Sequence, residues 1–249
     1  MRGIINILIV ILSTSILGTI AILGVVLFRS RDIFIWCTLK WASILIDWCG
    51  IRVKRTILCD GDEFVPPILF MSNHQSHYDI PTIYTTLPIF TMFLAKKELR
   101  KIPFLGWVMW LTGFVFIDRK KREEAFKAIE EAARQFVEEK RSIVIFPEGT
   151  RSKDGCIGQF KKGGFHLAIQ SRAKIIPIGI WGTIKVLPKG SWFIRPDDVV
   201  INVGKPIDAS RYTYETMNQL IEEVRDSITS LTNQSRLQWE EIKNQSLKN

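Results

Sequence analysis

Three short stretches of this chain carry side chains that could act together on a substrate. The first is Asn73-His74-Gln75-Ser76-His77-Tyr78-Asp79. An imidazole can take a proton from a hydroxyl near neutral pH. A carboxylate on its other ring nitrogen fixes the tautomer and stabilises the imidazolium. One turn of chain would bring Asp79 back onto His74. The same residues admit a plainer reading, in which the pair is only hydrogen-bonded and Asp79, just ahead of Pro81, caps a helix.

The second stretch, Gly113-Phe114-Val115-Phe116-Ile117-Asp118-Arg119, ends an apolar run in an acid and a guanidinium. Arginine is always charged and grips phosphate with two parallel bonds; the alternative for Arg119 is a surface salt bridge. The third is Phe146-Pro147-Glu148-Gly149-Thr150-Arg151-Ser152. Here Glu148 could accept a substrate hydroxyl and Arg151 a phosphate. Thr150 and the amides around Gly149 would help, because glycine lets backbone approach a ligand closely. The alternative is a tight turn with exposed charges. Lys161 and Lys162, ahead of Gly163-Gly164, add cations downstream. A fourth stretch, Ile175-Ile176-Pro177-Ile178-Gly179-Ile180, bears no reactive group. A proline inside an apolar strand predicts an edge, a bulge or a strand end.

These stretches need elements to hold them. Short apolar runs predict strands at Val53–Leu58, Ile68–Met71, Thr91–Ala95, Phe114–Ile117, Ile143–Phe146, Ile175–Ile180 and Val199–Val203. Several are apolar at consecutive positions, as strands covered on both faces require. Amphipathic helices are predicted over Glu123–Lys140 and Tyr212–Leu231, with a polar tail from Gln234 that is frayed or disordered. The fold class is therefore α/β: a mostly parallel or mixed sheet of about seven strands flanked by helices. Each reactive stretch follows a strand, which puts it beyond the carboxyl end of a sheet, where such folds bind ligands.

Ahead of this domain, the run from Gly3 to Phe28 contains no charge. At roughly 26 residues it would make a helix about 39 Å long, enough for a hydrocarbon core of about 30 Å. Only Arg2 precedes it and no small-x-small site closes it, so it reads as an anchor rather than a cleaved signal. From Ile33 to Cys49, Lys40, Ser43 and Asp47 share one helical stripe, with Trp36, Trp41 and Trp48 around it. This predicts an interfacial amphipathic helix, or else a core helix of the soluble part. The division is then residues 1–50, a two-helix membrane anchor, and residues 51–249, an α/β domain. Arg29, Arg31, Lys54 and Arg55 place that domain on the cytoplasmic side of the membrane.

The chain has 34 Lys+Arg against 25 Asp+Glu, a net charge of +9. That surface attracts anions, but charge alone does not choose among nucleic acid, anionic lipid and phosphorylated substrates. The apolar segment supplies a lipid partner for the charge, so no nucleic-acid partner is expected. Cys37, Cys49, Cys59 and Cys156 form no CxxC pair and no Cys/His cluster with zinc spacing. Reduced thiols are expected, as in a cytoplasmic domain.

Taken together and in this order, the stretches resemble the glycerolipid acyltransferase family. Its motif I, N-H-x-S-x-x-D, is met by Asn73, His74, Ser76 and Asp79; motif II, G-x-x-F-I-D-R, by Gly113, Phe116, Ile117, Asp118 and Arg119. Motif III, F-P-E-G-T-R-S, is met throughout Phe146–Ser152, motif IV around Pro177, and the segment Ala95–Leu99 is similar too. The resemblance covers roughly Val53 to Gly182. It implies His74 as general base and Asp79 as its orienter. Arg119 and Arg151 would hold an acceptor phosphate, with Lys96 beside them and Glu148, Gly149 and Thr150 completing the acceptor site. It implies a lysophosphatidate acceptor and an acyl-CoA or acyl carrier protein donor, with neither metal nor bound cofactor, because a thioester is already activated. Two other readings remain: an acyltransferase for a different lysolipid or glycerol phosphate, and a lipid-phosphate binding protein without catalysis.

Overall fold

The computed structural model describes residues 2–118 and 122–246. The apolar runs form β1 (Arg52–Ile57), β2 (Ile68–Ser72), β3 (Met92–Phe93), β4 (Ala95–Lys96), β5 (Phe116–Ile117), β6 (Ile143–Ile145), β7 (Lys174–Trp181), β8 (Asp198–Val203) and β9 (Ile207–Asp208). The helices are α1 (Arg2–Phe28), α2 (Arg31–Asp47), α3 (Asp79–Thr86), α4 (Leu105–Leu111), α5 (Arg122–Glu138), α6 (Gly163–Gln170), α7 (Thr183–Val186) and α8 (Met217–Ser246).

The main sheet has seven strands in the order β1-β8-β7-β2-β6-β3, with β9 beside β7. It is mixed. β1 and β8, β7 and β2, β2 and β6, and β6 and β3 pair in parallel, whereas β7 runs antiparallel to β8 and β9. β4 and β5 form a separate parallel ladder, with Ala95 opposite Phe116 and Lys96 opposite Ile117.

The consecutive apolar residues are explained by two covered faces. Alternate side chains point to opposite sides of a strand. Ile68 and Phe70 of β2, Val144 of β6 and Ile176, Ile178 and Ile180 of β7 enter one core. Leu69 and Met71, Ile143 and Ile145, and Ile175 enter the other. The first core is closed by α2 and α3 and the second by α5, α6 and α8.

A strand proline predicts an edge, a bulge or a strand end, and the bulge is what is found: β7 lies in the interior of the sheet, but Ile176 and Pro177 stand opposite three residues, Gly204, Lys205 and Pro206. On the side where β8 and β9 meet it, pairing with β9 covers Lys174 and Ile175 and pairing with β8 begins at Ile178. The Pro177 carbonyl faces that gap, where it accepts the Gly204 N–H at 2.8 Å. N–H and C=O of one strand residue point the same way, so the donor that proline lacks would have faced the break between two partners.

The C-terminal helix also differs. It starts at Met217, after Thr213 and Thr216 close a turn (Thr213 N to Thr216 Oγ1, 2.8 Å), and it continues through the polar tail to Ser246. Three residues dock that tail. Ser235 Oγ donates to the Gly179 carbonyl at 3.0 Å, Trp239 Nε1 to the Asp198 carbonyl at 2.9 Å, and Lys243 Nζ to Asp198 Oδ2 at 2.6 Å.

α1 is long and apolar enough to cross a membrane by length and composition. It packs lengthwise against α2 and α4. Asn6, Ser13 and Ala21 are buried on its inner side, while Ile5, Leu8, Leu12, Ile16, Ile20, Leu23 and Leu27 are exposed on its outer side. α2 buries Phe34, Cys37, Ala42, Leu45 and Ile46 and exposes Trp36 and Trp48. Side chains of both helices join the same core as β2 and β7. The four cysteines are free thiols, with Cys49 Sγ 3.2 Å from the Tyr78 hydroxyl.

Candidate active site

The order β7-β2-β6 makes neighbours of three distant stretches. β2 delivers motif I, β6 motif III and β7 motif IV, and these parallel strands end at the same edge of the sheet. Past Ser72, Asn73 extends the β2–β7 pairing with its side chain: Nδ2 donates to the Ile180 carbonyl at 2.9 Å and Oδ1 accepts the Ile180 N–H at 2.8 Å. The amide imitates one more strand residue and aims the next, His74, off the sheet.

His74 Nδ1 lies 2.7 Å from Asp79 Oδ2. The same oxygen accepts the N–H groups of Gln75 at 2.7 Å and Ser76 at 2.9 Å, and Asp79 Oδ1 accepts the Thr183 hydroxyl. The carboxylate is fully buried. Its oxygens face donors only, so the His74 ring hydrogen sits on Nδ1 and Nε2 keeps its lone pair. Asp79 is not the cap of α3; that position falls on Tyr78. The His74 ring stacks on Phe146, with centroids 3.9 Å apart and planes 13° from parallel. Its side chain is 11% exposed, so the ring is covered but reachable. His77 makes a poorer base. Desolvation, then the charge of Arg151, pushes its pKa down to about 4, although the residue borders solvent.

Motif III folds around this dyad. The Ser152 N–H donates to the His74 carbonyl at 2.7 Å. Glu148 has bonds of its own within the fold. Its Oε1 accepts the His74 N–H at 2.8 Å and its Oε2 the Gly158 N–H at 2.8 Å. The carboxylate therefore clasps the backbone of His74, and the same side chain lines the cleft described below. Burial raises its pKa, while the two amide bonds oppose the rise. Gly149 has φ +69°, and Lys161 lies 3.0 Å from where a Cβ would stand, so a side chain there would be strained and crowded.

Arg151 is partly buried beside the dyad. Desolvation pulls its pKa down and the Asp79 charge pulls it up, and as an arginine it remains a cation. Glu148, Thr150, Arg151, Cys156, Phe160 and Lys161 line a cleft of about 530 Å³ next to the dyad. Lys96 leaves the β4–β5 ladder and pairs with Glu98 at 3.1 Å. Arg119 lies outside the described residues; Asp118, just before it, pairs with Lys97 at 3.7 Å.

Two residues of the site escaped the sequence reading. Thr183 follows the motif IV strand directly, after Gly182, whose φ of +101° and closeness to the Asp198 carbonyl exclude a side chain. A Gly-Thr pair at the end of a central strand was the available signal. Lys189 donates from Nζ to Thr150 Oγ1 at 2.9 Å and to the Arg151 carbonyl at 2.8 Å. Nothing in its surroundings, Pro188-Lys189-Gly190-Ser191, marks it apart from other loop lysines.

An imidazole oriented in this way can take a proton from a hydroxyl, and the arginine beside it can hold an anion. The family model described as Acyltransferase matches residues 56–181, which span β2, β6 and all but the end of the dyad's support. The chain belongs to this acyltransferase family. It is 34% identical over 208 residues to the 1-acyl-sn-glycerol-3-phosphate acyltransferase of Saccharomyces cerevisiae, covering 78% of this chain and 68% of that protein. It is 33% identical over 181 residues to the enzyme of that name from Haemophilus influenzae, covering 73% and 74%. The crystal structure of the 1-acyl-sn-glycerophosphate (LPA) acyltransferase PlsC from Thermotoga maritima superposes with a TM-score of 0.74 at 29% identity, covering 94% of this chain and 97% of that one.

Proposed function

We propose that this enzyme transfers a fatty acyl group from acyl-CoA or acyl carrier protein to the sn-2 hydroxyl of 1-acyl-glycerol-3-phosphate, giving phosphatidic acid. The observation that carries the reading is the bond from His74 Nδ1 to a buried carboxylate with all its donors in place. Its relatives' names supply the acceptor class. Nε2 takes the hydroxyl proton as the oxygen attacks the thioester carbonyl. The tetrahedral intermediate collapses, the C–S bond breaks, and the thiolate leaves with the proton that His74 returns. Arg151 binds the acceptor phosphate, and Arg119 and Lys96 are proposed to share that charge. Direct transfer needs no acyl-enzyme, no metal and no bound cofactor.

The acceptor is a lipid, and the exposed apolar side of α1 supports a bilayer partner. Because the inner side of α1 is packed on the α/β domain, we place the helix in one leaflet with its outer side in hydrocarbon. Arg29, Arg31, Lys54 and Arg55 favour the cytoplasmic face.

Purified enzyme in detergent, assayed on lysophosphatidate with each donor, tests the proposal against His74→Ala. Turnover by the wild type and its loss in a folded variant support it. Equal rates would remove His74 from the mechanism. Inactivity of the wild type with both donors would point to another acceptor.

A further inference from the structure

The segment from Leu187 to Pro196 is tightly bonded to the site and to α1, yet it displays the most exposed aromatic pair of the chain's described residues. Trp192 is 82% exposed and Phe193 59%. The loop is ordered from within: Ser191 N–H donates to the Pro188 carbonyl at 3.0 Å, Phe193 N–H to Ser191 Oγ at 3.1 Å, and Arg195 N–H to the Val186 carbonyl at 2.9 Å. At its start, Ser76 of motif I donates to the Leu187 carbonyl at 2.9 Å. Lys189 holds Thr150 and the Arg151 carbonyl of motif III. At its far side the buried Asn6 of α1 donates to the Ile194 carbonyl at 3.2 Å, and Ile194 is itself buried. Flanking the aromatic pair are the exposed cations Lys185, Lys189 and Arg195.

We propose that this loop is a second bilayer contact: Trp192 and Phe193 enter the headgroup layer, Lys185 and Arg195 face anionic lipid, and the loop's bonds to motifs I and III hold the mouth of the active site at the lipid surface. The proposal rests on the membrane reading above. Tryptophan favours the headgroup region, and lysine and arginine beside it are drawn to anionic leaflets. The Asn6–Ile194 bond makes the loop continuous with α1, whose Ile5 and Leu8 are exposed one and two residues from Asn6 on the outer side.

The test uses the full chain with vesicles of phosphatidylcholine, with and without phosphatidylglycerol. Brominated acyl chains quench nearby tryptophans, and Trp192→Phe removes one of the eight tryptophans. The variant is expected to lose part of the quenchable emission, and more so with the anionic lipid. An unchanged quenchable fraction overturns the proposal. In parallel, Trp192→Ser/Phe193→Ser should raise KM for long-chain lysophosphatidate in vesicles several-fold while leaving turnover of a short-chain, monomeric acceptor unchanged. Equal loss on both acceptors, or a loss confined to the acyl carrier protein donor, would make the loop part of the site or a protein-docking surface and overturn the proposal. Quenching needs no catalysis, so a wild type inactive on both acceptors would sink the proposed function and leave the loop to be decided by the emission alone.

Discussion

Thr183 donates its hydroxyl to the oxygen of Asp79 that His74 does not use. His74 and the N–H groups of Gln75 and Ser76 hold one carboxylate oxygen and Thr183 fixes the other, so the carboxylate plane that the imidazole meets is set from both sides. Thr183 and Asp79 are both fully buried, so no water replaces the hydroxyl without rearrangement. Leaving a buried acceptor unmade costs about 1–3 kcal/mol. Thr183→Val is therefore expected to lower kcat about tenfold with little change in KM, and Thr183→Ser to restore most of it. Steady-state kinetics on lysophosphatidate, beside a melting curve, measures this; full activity in the valine variant would exclude an orienting role.

Arg151 and Lys189 act on the same turn by different means. Arg151→Ala removes the proposed phosphate ligand and, at about 1.5–3 kcal/mol for a charged hydrogen bond, should lower kcat/KM for the acceptor roughly 10- to 150-fold. Lys189→Ala only loosens the turn that carries Arg151, so its effect should be several-fold. Varying acceptor and donor separately distinguishes these. A rise confined to the donor KM in Arg151→Ala would assign the arginine to the thioester substrate instead.

Glu148→Gln is nearly isosteric but wrong in polarity. One carboxylate oxygen becomes an NH2 group facing a backbone N–H of His74 or Gly158. We expect a stability loss of about 1–3 kcal/mol and a fall in kcat, because the clasp fixes the base's own amide. The pH dependence has a definite sign. The folded pKa of Glu148 is raised, so its contribution to stability is present below the ordinary carboxylate value of about 4.3 and is lost as pH rises through the folded value. Over that window the stability of the wild type relative to the glutamine variant should decline. Denaturation profiles of the two proteins against pH check it, and parallel profiles would contradict it.

Asp198 has the opposite sign. Burial would raise its pKa, but hydrogen bonds from Arg52 and Lys243 outweigh burial and hold it below the usual value. Its stabilising effect is thus present above about 3.9 and lost as pH falls through the folded value. Arg52 grips the carboxylate with two bonds, at 2.7 and 3.0 Å, although its own side chain is largely exposed. Lys243→Ala should destabilise the protein by about 1 kcal/mol at neutral pH, with the difference vanishing in acid. Melting temperatures at the two pH values would show this, and a difference that persists in acid would place the effect in lost packing of the lysine stem.

Much of this arrangement was legible in the order of residues. Each of the seven predicted strands has a counterpart; β2, β6, β7 and β8 were legible because full burial leaves a run of apolar residues, whereas β1 is largely exposed and β5 belongs to the separate two-stranded ladder. His74 and Asp79 could be paired because they lie five residues apart in one turn. What escaped was whatever depends on which strands are neighbours. Thr183 meets Asp79 across 104 positions, and Lys189 meets Thr150 across 39. The bonds of Glu148 to the amides of His74 and Gly158 were also out of reach, because they join motif III to motif I across 74 positions and to a loop ten residues on. Pro177 signalled the bulge, but the order of residues did not show that β7 is a central strand, where the missing N–H points into the break between β9 and β8. The polar tail of α8 looked unanchored until Asp198 and Gly179 supplied what Lys243 and Ser235 bind.

The side-chain clasp of Asn73 on Ile180 has a further consequence, best put as one of tolerances. It is a datum point from which both halves of the dyad's support are measured: His74 follows Asn73 by one residue, and Thr183 follows Ile180 by three. Errors of position that arise in the outer helices and loops do not reach His74 by either branch, because neither passes through them. A single residue inserted between Ile180 and Thr183 would displace the hydroxyl from Asp79. The same insertion at the exposed tip of the 188–196 loop, between Trp192 and Phe193, lies on neither branch and outside the bonds of Lys189.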